Sequence, residues 1–501
     1  MYKNYLVGFD IGSSSVKVSI IDSSTGELVS SAFSPETEMK IISQNIGWAE
    51  QHPDDWWSHL VSATKQAISK LSTSMYEISG IGISYQMHGL VMVDKNKEVL
   101  HPSIIWCDSR AVAVGDKAFD DLGKEYCLRN CLNSPGNFTA SKLKWVKNNR
   151  PEIYEKIYKI MLPGDYIAFK LSGEINTTVS GLSEGIFWDF NKNDIADYVF
   201  DYYAIQKGFI PDIVPTFSIQ GKLTESAARE LGLKPGIPIS YRAGDQPNNA
   251  FSLNVLNKGE IAATAGTSGV VYGIVEENSY DLHSRVNSFA HVNYSNESPI
   301  KGVLLCINGT GILYNWLKNE LIRSNESYED LNNQADKINI GSDGVIVIPF
   351  GNGAERVLKN QNIGSHILGI NFNNHSREHI LRAAQEGIAF SFRYGIDLMK
   401  DMGLEVSLMR AGNANMFLSN LFSEAIANTS EATVELYNTD GAQGAARGAG
   451  VGAKVYTTFE EAFVGFKKLN VIEPTTELIK KYEEAYQKWK NKLSLLLGTE
   501  E

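Results

Sequence analysis

Apolar and polar positions along residues 7–21, VGFDIGSSSVKVSII, read as strand, turn and strand. An apolar run leads to Asp10, Gly12 and Ser13–Ser15 make a tight turn, and Val16, Val18 and Ile20 alternate with polar partners on the way back. A turn of this composition leaves main-chain N–H groups free of side-chain bulk, which suits a phosphate. Asp10, at the strand end, is placed to hold a hard cation through its water shell. Alone, this would be an ordinary hairpin. Residues 261–275, IAATAGTSGVVYGIV, repeat it, with Gly266-Thr267-Ser268-Gly269 answering Gly12-Ser13-Ser14-Ser15. Two such hairpins predict two similarly built lobes facing each other across a nucleotide, with an acid at the entry of the first only.

The rest of the chain alternates helices with strands. Pro53–Leu71 is predicted helical, with Trp57, Leu60, Thr64, Ile68 and Leu71 on one stripe. Ile78–Ser84 reads as a strand, residues 85–89 as a turn and Leu90–Val93 as the returning strand, which puts His88 at a loop tip. There a ligand contact and a structural role weigh equally. Residues 139–172 are mainly helical, and a long helix is expected from Ser376 to Met402 with a small-residue middle. Strand Val406–Arg410 runs into the small turn Ala411–Asn415 and a helix through Ala427, a setting that accepts an adenosine or a phosphate. Asp440–Ala453, DGAQGAARGAGVGA, is too small-sided for a free surface helix and is expected to be close-packed. Phe459–Leu497 reads as a charged helical tail.

Three stretches carry candidate chemistry. Ile104–Arg110, IIWCDSR, ends an apolar run in an acid and a base; it is either a local Asp108–Arg110 pair or a carboxylate delivered beside an aromatic to a sugar. Gly181–Gly185 matches the hydrolase pattern G-x-S-x-G, but a strand rather than a helix is expected after it, against a nucleophile elbow. Asp245 lies at a strand terminus, because Pro247 cannot continue a ladder. It is either a helix N-cap or a cleft acid at the hand-over between lobes.

A chain of 501 residues exceeds one hydrophobic core, so two domains are expected, residues 1–247 and 248–501. A net charge of −12 argues against a nucleic-acid partner. No run approaches the roughly 18 apolar residues of a membrane span, and MYKNYLVGFD lacks a signal-like apolar stretch. Four cysteines in so long a chain suit a reducing, cytoplasmic setting; Cys127 and Cys131, at helical spacing, read as packed thiols.

The combination FDIGSSSVKV, YQMHGLV, IIWCDSRA, PGNFTASKLKWV, LPGDYIAFKLSG, AGDQ, GTSG and the small segment at Gly412 resembles the FGGY carbohydrate kinases over nearly the whole chain, and among them the xylulose-phosphorylating members. Residues 365–387, SHILGINFNNHSREHILRAAQEG, approximate a second signature of that family, departing at Gln385. The resemblance implies an α/β fold of two ribonuclease-H-like (actin/hexokinase-type ATPase) domains with ATP and sugar in the cleft between them. It implies Asp245 as catalytic base, also facing the metal, and Asp10 as the acid near Mg²⁺ and the phosphates. Met87, His88, Asp108, Asp245 and Gln246 would meet the sugar. Gly12, Ser13, Ser14, Gly266, Thr267, Ser268, Gly412, Asn413 and Asn415 would meet ATP. The activity implied is phosphorylation of the terminal hydroxyl of a ketopentose, D-xylulose first, with ribulose, gluconate or glycerol as alternatives. Oligomeric state is left open, a homodimer among the options. Glycerol-phosphorylating members carry Arg-Glu where Met87-His88 stands, which counts against glycerol. Asp245-Gln246-Pro247 replaces a frequent Asp-Asn-Ala, and Gly353-Ala354-Glu355-Arg356-Val357 replaces G-E-R-T-P. Outside catalysis, the same scaffold serves as a sugar or nucleotide sensor or an actin-like ATPase switch; Asp10, Asp245 and YQMHG favour the kinase.

Overall fold

The computed structural model describes residues 3–72, 75–323 and 325–499, built around two mixed β-sheets of six and seven strands. In the first sheet, Lys3–Ile11 turns through residues 12–15 into Val16–Asp22 and then Leu28–Ser34, an antiparallel meander in which Asp10 pairs with Lys17. On its other side Lys3–Ile11 pairs in parallel with Tyr76–Tyr85, which pairs in parallel with Pro238–Gly244. Phe217–Lys222 closes that edge antiparallel. The second sheet repeats the order. Glu260–Ala265, Gly269–Val275 and Lys301–Ile307 form the meander, and Leu408–Gly412 and Thr433–Tyr437 the parallel pair. Asn287–Ala290 and Lys468–Ile472 are its edges. The repeat gives the two similarly built lobes that the paired hairpins predicted, in the ribonuclease-H-like arrangement that the family resemblance implied.

Strand Lys3–Ile11 is buried on both faces because a helix covers each. Tyr5, Val7, Phe9 and Ile11 pack in one cluster with Trp56, Trp57 and Leu60 of the helix Pro53–Ser69. Leu6, on the opposite face, packs with Ala445, Ala446 and Ala449 of the helix Gly441–Gly452. This is the two-residue alternation of a strand expressed as two different partners. Contact on the second face is close enough that a Cβ at Gly8 would stand 1.8 Å from the Ala442 carbonyl oxygen, so only glycine fits. The close-packed helix expected from DGAQGAARGAGVGA is therefore packed against the first sheet, although it follows the last parallel strand of the second.

That crossing bears on the domain division. A boundary at 247/248 falls inside the helix Asp245–Ser252, and the side-chain amide of Asn248 donates to the Gly441 carbonyl at 2.9 Å. We place the change of sheet at residues 253–259, with residues 441–452 returning to the first lobe. Two further expectations are corrected. Val91–Val93 does not return beside Tyr76–Tyr85, whose two edges are taken by Lys3–Ile11 and Pro238–Gly244; it pairs with Lys159–Met161 instead. The tail is not continuously helical either. Lys468–Ile472 adds a strand beside Thr433–Tyr437, between the short helix Phe459–Ala462 and the helix Thr476–Leu497.

Candidate active site

Lys3–Ile11, Tyr76–Tyr85 and Pro238–Gly244 run parallel, so their C-terminal ends deliver Asp10, the turn at 86–89 and Asp245 to one edge of the first sheet. Asp10 lies beside Ser84 in register and accepts its hydroxyl at 2.8 Å. Burial, followed by the nearby Asp440 carboxylate, raises the Asp10 pKa against the lowering effects of Ser84 and Lys17. Asp440 caps the helix Gly441–Gly452 and is held by Lys17 at 2.7 Å. The N-terminus of that helix therefore faces Asp10, where its dipole favours an anion.

Asp245 is the first residue of the helix Asp245–Ser252, not its N-cap; Gly244 holds that position. Burial, and next the charge of Asp10, push the Asp245 carboxyl up to about 7, although the adjacent main-chain and side-chain N–H groups of Gln246 favour its charged form. Asp10, Asp245 and Gln246 thus form one cluster. A carboxylate poised near neutrality suits a general base.

The turn at residues 86–89 is equally constrained. His88 takes a left-handed backbone, φ 61°, and Lys142 clamps the turn by donating to the carbonyls of His88 and Ile105 at 2.8 and 3.0 Å. Burial pushes the Lys142 ammonium down to about 7. His88 Nδ1 lies 3.0 Å from the Glu184 carbonyl oxygen. Burial first, then the Lys142 charge, hold the imidazole pKa near about 3, so the ring is neutral at physiological pH. A neutral ring bonded to a carbonyl must carry its proton on Nδ1, which leaves Nε2 as an acceptor for a hydroxyl. Phe138 and Phe289 flank the ring at 4.8 and 5.4 Å. Phe289 belongs to the second sheet, as do Ala290, whose N–H donates to Ser183 Oγ at 3.0 Å, and Asn287, which accepts from Arg356 at 3.0 Å. The second lobe therefore closes the pocket around His88.

The two hairpins are braced differently. In the first, the Ser13 carbonyl accepts from Gln51 and the Ser14 carbonyl from the Met39 N–H, while the Trp106 indole donates to Ser13 Oγ at 3.2 Å. In the second, the Gly266 and Thr267 carbonyls accept from the N–H groups of Gly311 and Ile312, and Thr267 and Ser268 stand exposed. A Cβ at Gly266 would lie 3.5 Å from the Asn415 amide, so the hairpin and the Gly412–Asn415 turn line one site. Asn413 is tied back by its N–H to the Tyr437 carbonyl at 2.8 Å.

Asp108 does not join them. It is completely buried, and both carboxylate oxygens are taken by the Ala49 and Arg110 N–H groups and the Arg110 guanidinium. Arg110 also pairs with Glu50 at 2.6 Å and stacks 3.9 Å from the Trp48 ring. The IIWCDSR segment is a structural ion pair, and it is Trp106, not Asp108, that reaches the first hairpin. The hydrolase pattern is also resolved: Ser183 is buried within the helix Val179–Glu184 and its hydroxyl donates to the Ser180 carbonyl. All four cysteines are free, and among the described residues no cluster of three His, Cys, Asp or Glu side chains forms a metal cage. Sequence reasoning missed Ser84, Glu184 and Asp440 with Gly441; only DGAQGAARGAGVGA gave any signal, as a helix needing close contact.

A model of the N-terminal domain of the FGGY family of carbohydrate kinases matches residues 5–252, and one of the C-terminal domain matches residues 261–453. The xylulose kinase of Bacillus subtilis is 27% identical over 97% of this chain and 96% of its own length. That of Haemophilus influenzae is 29% identical over 98% of this chain and 99% of its own. Among solved structures, xylulose kinase from Rhodospirillum rubrum superposes with a TM-score of 0.86 at 21% identity, covering 98% and 99% of the two chains. Plasmodium falciparum glycerol kinase with ADP superposes at 0.88 and 21% identity, covering 99% of each.

Proposed function

The chain belongs to the FGGY family of carbohydrate kinases, and from that premise we propose that it transfers the γ-phosphoryl group of ATP to the terminal hydroxyl of D-xylulose, giving D-xylulose 5-phosphate. The observation that carries the reading is Asp245: a carboxyl held near about 7 beside Asp10, on the same sheet edge as the Met87-His88 turn.

In this reading the Asp245 carboxylate takes the proton of the terminal hydroxyl as that oxygen bonds to the γ-phosphorus and ADP leaves. Phosphoryl transfer asks the protein for positioning and charge neutralisation more than for covalent chemistry. His88 Nε2 accepts a sugar hydroxyl, Met87 packs beside it, and Gln246 holds the base. Main-chain N–H groups at Gly12–Ser14 and Gly266–Ser268 surround the phosphates, and Gly412, Asn413 and Asn415 take the nucleoside side. Asp10 and Asp245 fit Mg²⁺: a carboxyl whose proton affinity a neighbouring carboxylate raises gains from a divalent cation, which rests on one or two carboxylates plus phosphates rather than on a protein cage. When bound, the ion neutralises charge on the β- and γ-phosphates. The Phe289 wall of the second lobe keeps water from the transfer. Four free cysteines support a reducing, cytoplasmic setting, and no described helix is long and apolar enough to cross a membrane.

The test is ADP release from ATP with D-xylulose, D- and L-ribulose, gluconate and glycerol in parallel. The highest kcat/KM is expected with D-xylulose. Sugar binding without phosphorylation would indicate a sensor, and ADP release indifferent to sugar a switch; either outcome overturns the proposal.

A further inference from the structure

The G-x-S-x-G segment is no nucleophile elbow, yet it ends in an acid that the mechanism so far leaves unused. Glu184 closes the helix Val179–Glu184, is 1% exposed, and neither carboxyl oxygen has a hydrogen-bond partner among the described residues. The Tyr85 hydroxyl and the His88 main-chain N–H both face this carboxyl and favour its charged form, but neither reaches it with hydrogen-bond geometry. A buried polar group left unpaired costs about 1–3 kcal/mol, so its presence needs a reason.

Two contacts supply one. A Cβ at Gly244 would stand 2.8 Å from Glu184 Oε2 and 2.7 Å from Met87 Cγ, so the carboxyl and Met87 both press on the residue that delivers Asp245. The Glu184 carbonyl, in turn, holds Nδ1 of His88 at 3.0 Å. One residue thus touches both the strand end bearing the base and the turn bearing the sugar-side histidine. We propose that Glu184 is a positioning residue for phosphoryl transfer, its carboxyl seating Gly244 and thereby Asp245 while its carbonyl seats His88. This rests on the reading of Asp245 as the base.

The groups around it decide its charge. Tyr85 faces it from the first sheet, Tyr272 from the second, Asp165 from the helix Pro163–Ser172 and Asp245 from the helix it begins; Lys142 adds a weak attraction. Arg242 is ion-paired to Asp165 at 3.0 Å and so is already matched. Burial above all, then Asp245 and Asp165, push the Glu184 carboxyl well above the usual range.

Glu184→Met keeps the volume and removes both oxygens; Glu184→Gln keeps a neutral polar group of the same shape. The methionine variant is expected to melt at or above the wild-type temperature, since an unpaired polar group is gone. Its kcat falls about tenfold or more as the base loses its seat, with KM for ATP unchanged. The glutamine variant is expected to recover kcat to within about threefold and to keep the acid limb of the pH profile. Wild-type kcat and pH profile in Glu184→Met would reduce the residue to filler. A glutamine variant as slow as the methionine one would show that the polar group does not seat the base; each result overturns the proposal. Should the methionine variant not fold, Glu184→Leu carries the same outcomes. Asp245→Asn measured alongside separates the two readings: its full activity sinks the base, whereas its loss beside a fully active Glu184→Met sinks only the positioning role.

Discussion

Gly441 leaves Asp10 no side chain to meet: a Cβ built there would stand 2.6 Å from Asp10 Oδ2. The acid that ends the first strand is therefore seated against the start of a helix contributed more than four hundred residues later. Their closeness lets the helix N-terminus act on Asp10, and it ties the second half of the chain to the edge of the first sheet where Asp10 and Asp245 lie.

Gly441→Ala is expected to displace Asp10 without unfolding the protein, since alanine is the better helix former by about 1 kcal/mol. Melting should stay within a few degrees of wild type, roughly the shift that 1 kcal/mol produces in a chain this large. The kcat/KM for Mg·ATP should fall about tenfold, one misplaced catalytic group being worth that or more. Wild-type kinetics in a folded variant would detach Asp10 from the nucleotide.

Asp245→Asn removes the proposed base and should lower kcat by about 10² or more while nucleotide binding, measured by calorimetry, persists. In the wild type, kcat/KM should fall as pH drops through about 7, because protonation there disables the carboxylate. Stability runs the other way. A carboxyl whose folded pKa is raised above its unfolded value of about 3.9 favours the folded state at low pH and loses that contribution as pH rises to about 7. Asp245→Asn should therefore melt above wild type near neutral pH, with the gap closing toward about pH 4. Parallel melting curves at every pH would contradict the buried-base account.

His88 is held neutral, with its pKa near about 3, so sugar affinity should be flat through the range where an ordinary histidine titrates, around pH 6.5. His88→Ala should raise KM for the sugar and leave KM for ATP alone. Affinity that changes with an apparent pKa near about 6.5 would show the ring titrating freely.

For Asp108 the expected loss is of fold rather than of chemistry. Breaking one side of a fully buried pair typically costs about 3–5 kcal/mol, because the other charge is left uncompensated. Asp108→Ala should lower the melting temperature strongly, with KM for the sugar unchanged in whatever remains folded. A variant of normal stability and weakened sugar binding would restore Asp108 to the pocket.

The two hairpins, Asp10, Asp245, the Met87-His88 turn and the small turn at Gly412 were legible because each is local: a strand, a tight turn and a side chain within a few residues. Asp108 misled for the same reason. Its neighbours in sequence, Trp106 and Arg110, suit a sugar pocket as well as an ion pair, and only Ala49, Glu50 and Trp48, about sixty residues earlier, decide between them. Glu184 was hidden inside a familiar pattern whose serine drew the attention.

By itself, then, the sequence determined the strand–turn–strand repeat, the small-residue helix that demands close contact and the identity of the groups able to take a proton or grip a phosphate, since period and residue type are properties of short stretches. Tertiary structure alone decided which acids share the candidate site. Asp10 and Asp245 meet because parallel strands end at one edge, Asp108 is consumed because an arginine and a backbone amide reach it first, and the Glu184 carboxyl is pushed toward its neutral form because packing shuts out the water that would let it ionise. Proton affinity is set by surroundings, and surroundings assemble only when distant parts of the chain close on one another.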